Sequence, residues 1–196
     1  MIAYLEGKLS FKSPTHVYID VGGIAYDVQV SLNTFGHLEA LDEVKLYTHL
    51  IVREDAHYLF GFFDLEEKDL FAKLISVSGI GPNTARVILS YMTPPETKSA
   101  ILSDNVVAFK KVKGVGPKTA QRIILDLKDK IAKDSLHVMA TQNNANESIR
   151  EEAISALVSL GFQKSQVNKL VDKVISENSG DYQVETLIKS VLRQLS

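Results

Sequence analysis

The chain has 196 residues, is 45% hydrophobic and carries a net charge of −2; this describes one to three small globular domains and excludes unselective nucleic-acid binding over the whole surface. It has no cysteine, which excludes disulfides, thiol chemistry and cysteine-based zinc sites. His16, His37, His49, His57 and His137 show no ligand spacing, so neither metal nor cofactor is expected. No apolar run approaches the roughly 20 residues of a membrane helix, and the start, Met1-Ile2-Ala3-Tyr4-Leu5-Glu6, lacks the character of a signal peptide. The expected protein is cytoplasmic, with no membrane partner.

Residues 2–12 read as a first strand. Val17, Ile19 and Val21 alternate with Tyr18 and Asp20, Gly22-Gly23 supplies a two-residue turn, and Ile24, Tyr26, Val28 and Val30 resume the alternation. This is a hairpin pattern. Residues 33–42 form a loop or short helix, and 44–52 and 57–63 two further strands. Five short strands over 1–63 predict a small closed barrel of the OB type. Such barrels bind single strands on exposed aromatics, and Tyr18, Tyr26, Tyr47, Tyr58, Phe60 and Phe62 are candidates. Filling the barrel and its subunit contacts accounts for them better, because residues 1–63 carry eight acids against four bases. Between the last two strands lies Arg53-Glu54-Asp55-Ala56. Charged residues suit any hairpin tip; in a DNA-binding protein, Glu54 and Asp55 would also repel phosphates and discourage duplex from lying over them.

Asp64, with Glu67 three residues on, predicts a capping box at the start of a helical region, 64–133. That region contains one phrase twice. Ser78-Gly79-Ile80-Gly81-Pro82-Asn83-Thr84-Ala85 returns, offset by 35 residues, as Lys113-Gly114-Val115-Gly116-Pro117-Lys118-Thr119-Ala120. Pro suits the first turn of a helix, and Ala85, Ile88, Leu89 and Met92, like Ala120, Ile123, Ile124 and Leu127, follow at helical spacing. Leu70, Phe71, Leu74 and Ile75 mark a helix before the first phrase, and Val106, Phe109 and Lys110 a weaker one before the second. Thr93 is the expected cap of a connecting helix and Asp104 of the next. Each unit is a helix-hairpin-helix. Its glycines let a ligand approach the main chain, and the open N–H groups at the start of the second helix favour an anion.

Tight αα-turns alone would also use these glycines. Charge favours the phosphate reading: residues 106–133 hold eight bases and two acids, +6 in a chain of net −2. The candidate DNA contacts are Ser78, Gly79, Gly81, Asn83, Thr84 and Arg86 in the first unit, and Lys110, Lys113, Gly114, Gly116, Lys118, Thr119 and Arg122 in the second. Asn83 and Lys118 are equivalent positions, so the first unit relies more on backbone donors. Thr84 and Thr119 offer hydroxyls to a phosphate or to their own helix starts. Contacts of this kind ignore base sequence.

Residues 134–147 lose periodicity and fill with small polar side chains, which predicts a flexible linker. Ser148 and Glu151 read as a second capping box, and three short helices follow in 148–196, the first stopped by Gly161. This near-neutral module has no DNA signal and suits a protein partner, with Leu160, Phe162, Leu170, Tyr182 and Leu187 as candidate contacts. The Leu160-Gly161-Phe162 loop resembles that of ubiquitin-associated (UBA-like) three-helix domains. The fold class is therefore α+β multidomain: an OB-type barrel, an all-α tandem helix-hairpin-helix domain and a three-helix domain.

This order of parts resembles the RuvA family of bacterial Holliday-junction-recognition proteins over essentially the full length. The resemblance rests on Met1-Ile2-Ala3-Tyr4-Leu5-Glu6-Gly7, on Asp20-Val21-Gly22-Gly23-Ile24-Ala25-Tyr26, on Arg53-Glu54-Asp55-Ala56 and on both glycine phrases. It implies a homotetramer, or an octamer around the DNA, that cradles a four-way junction with Glu54 and Asp55 as an acidic pin at the crossover. It also implies that the last domain holds RuvB, a hexameric AAA+ ATPase, and that the junction resolvase RuvC is assisted. The chain has no Gly-x-x-x-x-Gly-Lys-Ser/Thr loop, so ATP hydrolysis by that route must come from the partner. Two other readings stand beside this one: a helix-hairpin-helix glycosylase or nuclease, for which Asp126 and Asp129 are the nearest carboxylates, and a single-strand binder using the barrel.

Overall fold

The computed structural model describes residues 1–141, 145–177 and 183–195. The chain divides into two compact units, Met1–Ala132 and Lys133–Ser196.

In the first unit, β1 (Tyr4–Lys12), β2 (His16–Val21), β3 (Ile24–Val30), β4 (Glu43–Val52) and β5 (His57–Phe62) close a barrel in the order β1-β2-β3-β5-β4. Every pair is antiparallel except β3 with β5. Val21 faces Ile24 across the β2–β3 turn, and Gly22 and Gly23 take φ of +64° and +94°, the left-handed pair that a two-residue hairpin turn needs. The segment between β3 and β4 contains a helix, α1 (Leu32–Leu38), capped by the Ser31 side chain. Leu38 joins Leu5, Val17, Ile19, Val28 and Leu46 in the barrel core.

Strand β5 is buried on both faces, as its period of two allows. Leu59 points into the barrel, and so would a side chain at Gly61, whose Cβ would lie 2.5 Å from Val28 Cγ1. Phe60 and Phe62 point the other way, with ring centroids 5.0 and 4.9 Å from Phe71 in the helical core. Residue 63 thus marks the change from strands to helices, but the two parts share packing and form one compact unit.

The helices of this unit are α2 (Leu65–Ile75), α3 (Pro82–Tyr91), α4 (Pro94–Leu102) and α5 (Val106–Lys110), followed by α6 (Pro117–Thr141), which continues beyond it. Thr93 caps α4 in a complete capping box with Glu96. Asn105, not Asp104, caps α5 by accepting from the Ala108 N–H at 3.1 Å. Asp104 instead adopts φ +56° and pairs with Lys128.

The box expected at Asp64 is half formed. Asp64 accepts from the Glu67 N–H at 2.7 Å, but the Glu67 carboxylate turns away and is fully buried. It accepts from Ser31 Oγ, from Thr34 Oγ1 at 2.7 Å and from Asn33 Nδ2 at 3.1 Å. Burial raises the Glu67 pKa above the ordinary carboxylate value; the three hydrogen bonds oppose this and the neighbouring Asp64 charge adds to it. With a raised folded pKa, the protonated form gives stability that is present below the ordinary carboxylate pKa and lost as pH rises through the folded value. The stability of Glu67→Gln relative to the parent is therefore expected to increase with pH across that interval and then level off, as read from paired melting curves.

Helix α6 extends to Thr141 and α7 (Ala145–Ser159) starts at Ala145, so most of the span expected as a flexible linker, 134–147, is helical. Residues 142–144 lie outside the described residues. Ala132, Lys133, Leu136, Met139 and Ala140 are strong helix formers, and propensity here outweighs the missing apolar stripe. Ser148 consequently lies inside α7 and not at its cap. Gly161, at φ +96°, follows α7 as expected. With α8 (Lys164–Glu177) and α9 (Val184–Leu195), α7 encloses a core that includes Ala153, Leu157, Val167, Val171, Leu187 and Val191.

Candidate nucleic-acid interface

The two glycine turns are equivalent position by position. Gly79 and Gly114 take φ of +91° and +92°, a conformation that costs other residues about 1–2 kcal/mol. Ile80 N–H donates to Val77 O at 3.0 Å, and Val115 N–H to Val112 O at 3.1 Å. Gly81 O accepts from Ala85 N–H at 3.0 Å, and Gly116 O from Ala120 N–H at 2.9 Å. Val77, Ile80, Ala85 and Ile88 and their counterparts Val112, Val115, Ala120 and Ile123 are all buried in one shared core. The apolar residues thus anchor each turn and its glycines remain on the surface.

Gly81 and Gly116 are informative because, among the described residues, neither a left-handed backbone nor internal packing requires them. Neither has a positive φ among the described residues, and a Cβ added to either meets no atom within 4 Å. Gly81 also serves as N-cap of α3 without a side-chain capping bond. The first-turn N–H groups of such a helix have no acceptor within it and lie at its electropositive end.

The turns are linked by Arg122, whose Nη1 lies 3.4 Å from Ser78 O. Ser78, Asn83, Lys110, Lys113, Lys118 and Arg122 are exposed or half-buried, and so are Thr84 and Thr119. Lys128 is engaged by Asp104 and adds less to the cationic face. Arg86 is half-buried and has an internal partner. Its Nη1 donates to Thr15 O at 2.7 Å, its Nε is buried without a partner, and burial lowers its pKa. It braces α3 against the β1–β2 loop.

The hairpin tip is closed by Arg53 N–H donating to Ala56 O at 2.9 Å, and it holds Glu54 and Asp55 exposed. Its base adjoins the first turn: Arg53, Tyr58, Phe60, Pro82 and Asn83 line a cleft of about 60 Å³. The Arg53 guanidinium lies 5.7 Å from the Tyr58 ring centroid. In the sequence Arg53 belongs only to the tip; its place beside Asn83 depends on a contact 30 residues away. Lys111, also exposed, was legible in the basic run.

Of the barrel aromatics, Phe60 and Phe62 are buried against the helices and unavailable for stacking, whereas Tyr18 is exposed. Asp126 and Asp129 lie on α6. Among the described residues no three His, Cys, Asp or Glu side chains are grouped to hold a metal ion, and no helix is long and apolar enough to cross a membrane. In the second unit Leu160 is 63% exposed, Phe162 and Leu170 are half-buried, and Leu187 is fully buried. Leu187 therefore holds the core together and is not available to a partner. Tyr182 lies outside the described residues.

Comparison with known proteins divides the chain into three matched segments. Residues 1–61 match the RuvA N terminal domain, 71–129 the SAM-like helix-hairpin-helix tandem, and 148–196 the RuvA C-terminal domain. A protein of Cytophaga hutchinsonii named Holliday junction branch migration complex subunit RuvA is 50% identical over 197 residues, covering 98% of this chain and 99% of its own. Proteins of the same name from Flavobacterium psychrophilum and Bacteroides fragilis are 48% and 43% identical, each match covering both chains completely. The matched segments contain the closed barrel, both glycine turns and the final helices in the order of the fold, and the chain belongs to the RuvA family.

Proposed function

We propose that this protein binds four-way (Holliday) junction DNA without regard to base sequence and holds it open for ATP-driven branch migration in recombination and repair. The observation that carries this reading is the pair Gly81 and Gly116, which neither backbone conformation nor internal packing requires. Close approach of a phosphate chain from outside does require them. The protein acts in the cytoplasm as a non-catalytic subunit. A four-armed ligand suits a four-fold homotetramer with one subunit's turns on each arm, or two such tetramers enclosing the DNA. The four acidic tips then meet at the crossover and keep the strands apart. The second unit holds a RuvB-type hexameric ATPase through the exposed Leu160 and the half-buried Phe162 and Leu170, and the complex serves the RuvC resolvase.

Affinities for junction, duplex and single strand at one fixed salt concentration test this reading. Junction is expected to bind tightest; equal affinity for all three refutes the proposal, and cleavage of junction by the pure protein with magnesium favours the enzyme reading instead. Within the same assay, Lys118→Glu is expected to weaken binding and to reduce the salt slope by about one for each phosphate no longer neutralised. An unchanged slope removes Lys118 from the interface.

A further inference from the structure

The barrel carries the acidic tip and the helices carry the phosphate-gripping turns, so their mutual contact sets the geometry of recognition. Part of that contact is apolar, with Phe60 and Phe62 around Phe71, and burial of this kind has no direction. The directional part centres on Glu67. Three donors from the start of α1, on Ser31, Asn33 and Thr34, converge on the two oxygens of this one side chain of α2. Thr34 Oγ1 also accepts from the N–H of Phe63 at 3.2 Å, the residue that follows the strand descending from the tip. A buried carboxylate is an expensive way to hold two elements together, since apolar side chains of similar volume usually stabilise as well or better. What it adds is a fixed orientation.

We propose that Glu67 is a positioning residue for junction recognition: by clamping α2 to the first turn of α1, it fixes how the acidic tip stands relative to the two phosphate-gripping turns. Fully buried in the chain, it touches no DNA. The inference rests on the proposed function and adds to it the residue that aligns the two DNA-contacting parts. Other polar ties across this contact, Leu32 N–H to Ser90 Oγ, Arg86 Nη1 to Thr15 O and Lys68 Nζ to Ala3 O, each join single groups. None of these gathers several donors onto one side chain.

The test uses the full-length protein, with melting temperature, duplex and junction affinity at fixed salt, and fluorescence of 2-aminopurine placed at the crossover. The parent is measured first; a parent without preference for junction refutes the proposed function and this inference with it. E67Q keeps the side-chain shape but replaces one acceptor oxygen with a donor. It is expected to stay folded and bind duplex like the parent, while its preference for junction falls about fivefold and the crossover fluorescence drops. On an E54Q/D55N background the same change is expected to cause no further loss, because the element it aligns no longer acts. A folded E67Q with parental preference, or an equal loss with the tip neutralised, overturns the inference. Should E67Q not fold, Thr34→Val, which deletes one donor to the carboxylate, is measured in the same way: a fall in junction preference that the neutralised tip abolishes supports the inference, and parental preference overturns it.

Discussion

Replacing Gly81 and Gly116 together by alanine is expected to reduce junction affinity by about a hundredfold or more while leaving the fold intact. Two opposing terms set the stability. Alanine loses less backbone entropy than glycine where the conformation permits it, a gain of about 0.4–1 kcal/mol. It is also a poorer N-cap than glycine, and Gly81 occupies that position. The terms largely cancel, and no internal atom lies within 4 Å of either new methyl group to add strain. Binding has no such compensation. A methyl group at each helix start keeps a phosphate from the main-chain N–H groups, and each hydrogen bond to a charged group contributes about 1.5–3 kcal/mol. Two lost in every subunit exceed the stability change several times over. Parallel melting and binding curves decide the matter: a stable double variant with parental affinity would show that the turns are only turns.

The second large effect is expected at the hairpin tip. Glu54→Gln with Asp55→Asn keeps both shapes and removes two exposed charges. Plain duplex is expected to gain on junction by about tenfold at low salt, because like charges set against a phosphate backbone cost up to several kcal/mol. The gain is expected to shrink as salt rises, since exposed charges are screened beyond about 8 Å at physiological ionic strength. Competition between labelled junction and unlabelled duplex at two salt concentrations measures both features. A ratio that does not move would leave the tip without a role in discrimination.

What was legible in the sequence is what neighbouring residues decide. The strand alternation, the Gly22-Gly23 turn and the 35-residue repeat of apolar positions all appear in the structure where periodicity places them. Thr93 caps its helix because its partner, Glu96, is three residues away. Glu67 has the same local spacing from Asp64, yet its carboxylate is taken by Ser31, Asn33 and Thr34, more than 30 residues earlier. Spacing cannot register that competition. The tie of Arg86 to Thr15 is invisible for the same reason, since the two are 71 residues apart. Leu187 shows a third kind of miss: apolar character alone does not say whether a helix residue faces its core or a partner, and here it is fully buried. Over 134–141 the error ran the other way, because a segment without an apolar stripe can still be helical when its residues favour that state.

Strand β5 gives alternate side chains to two cores, Leu59 to one and Phe60 and Phe62 to the other. Severing the chain at residue 63 would leave an aromatic ribbon facing water, and such a fragment would self-associate before it could function. The first two modules are accordingly expected to melt together as one cooperative body, and neither can be exchanged for a foreign counterpart without redesigning the surface between them. A graft at residue 132, where the first compact unit ends, avoids that surface altogether.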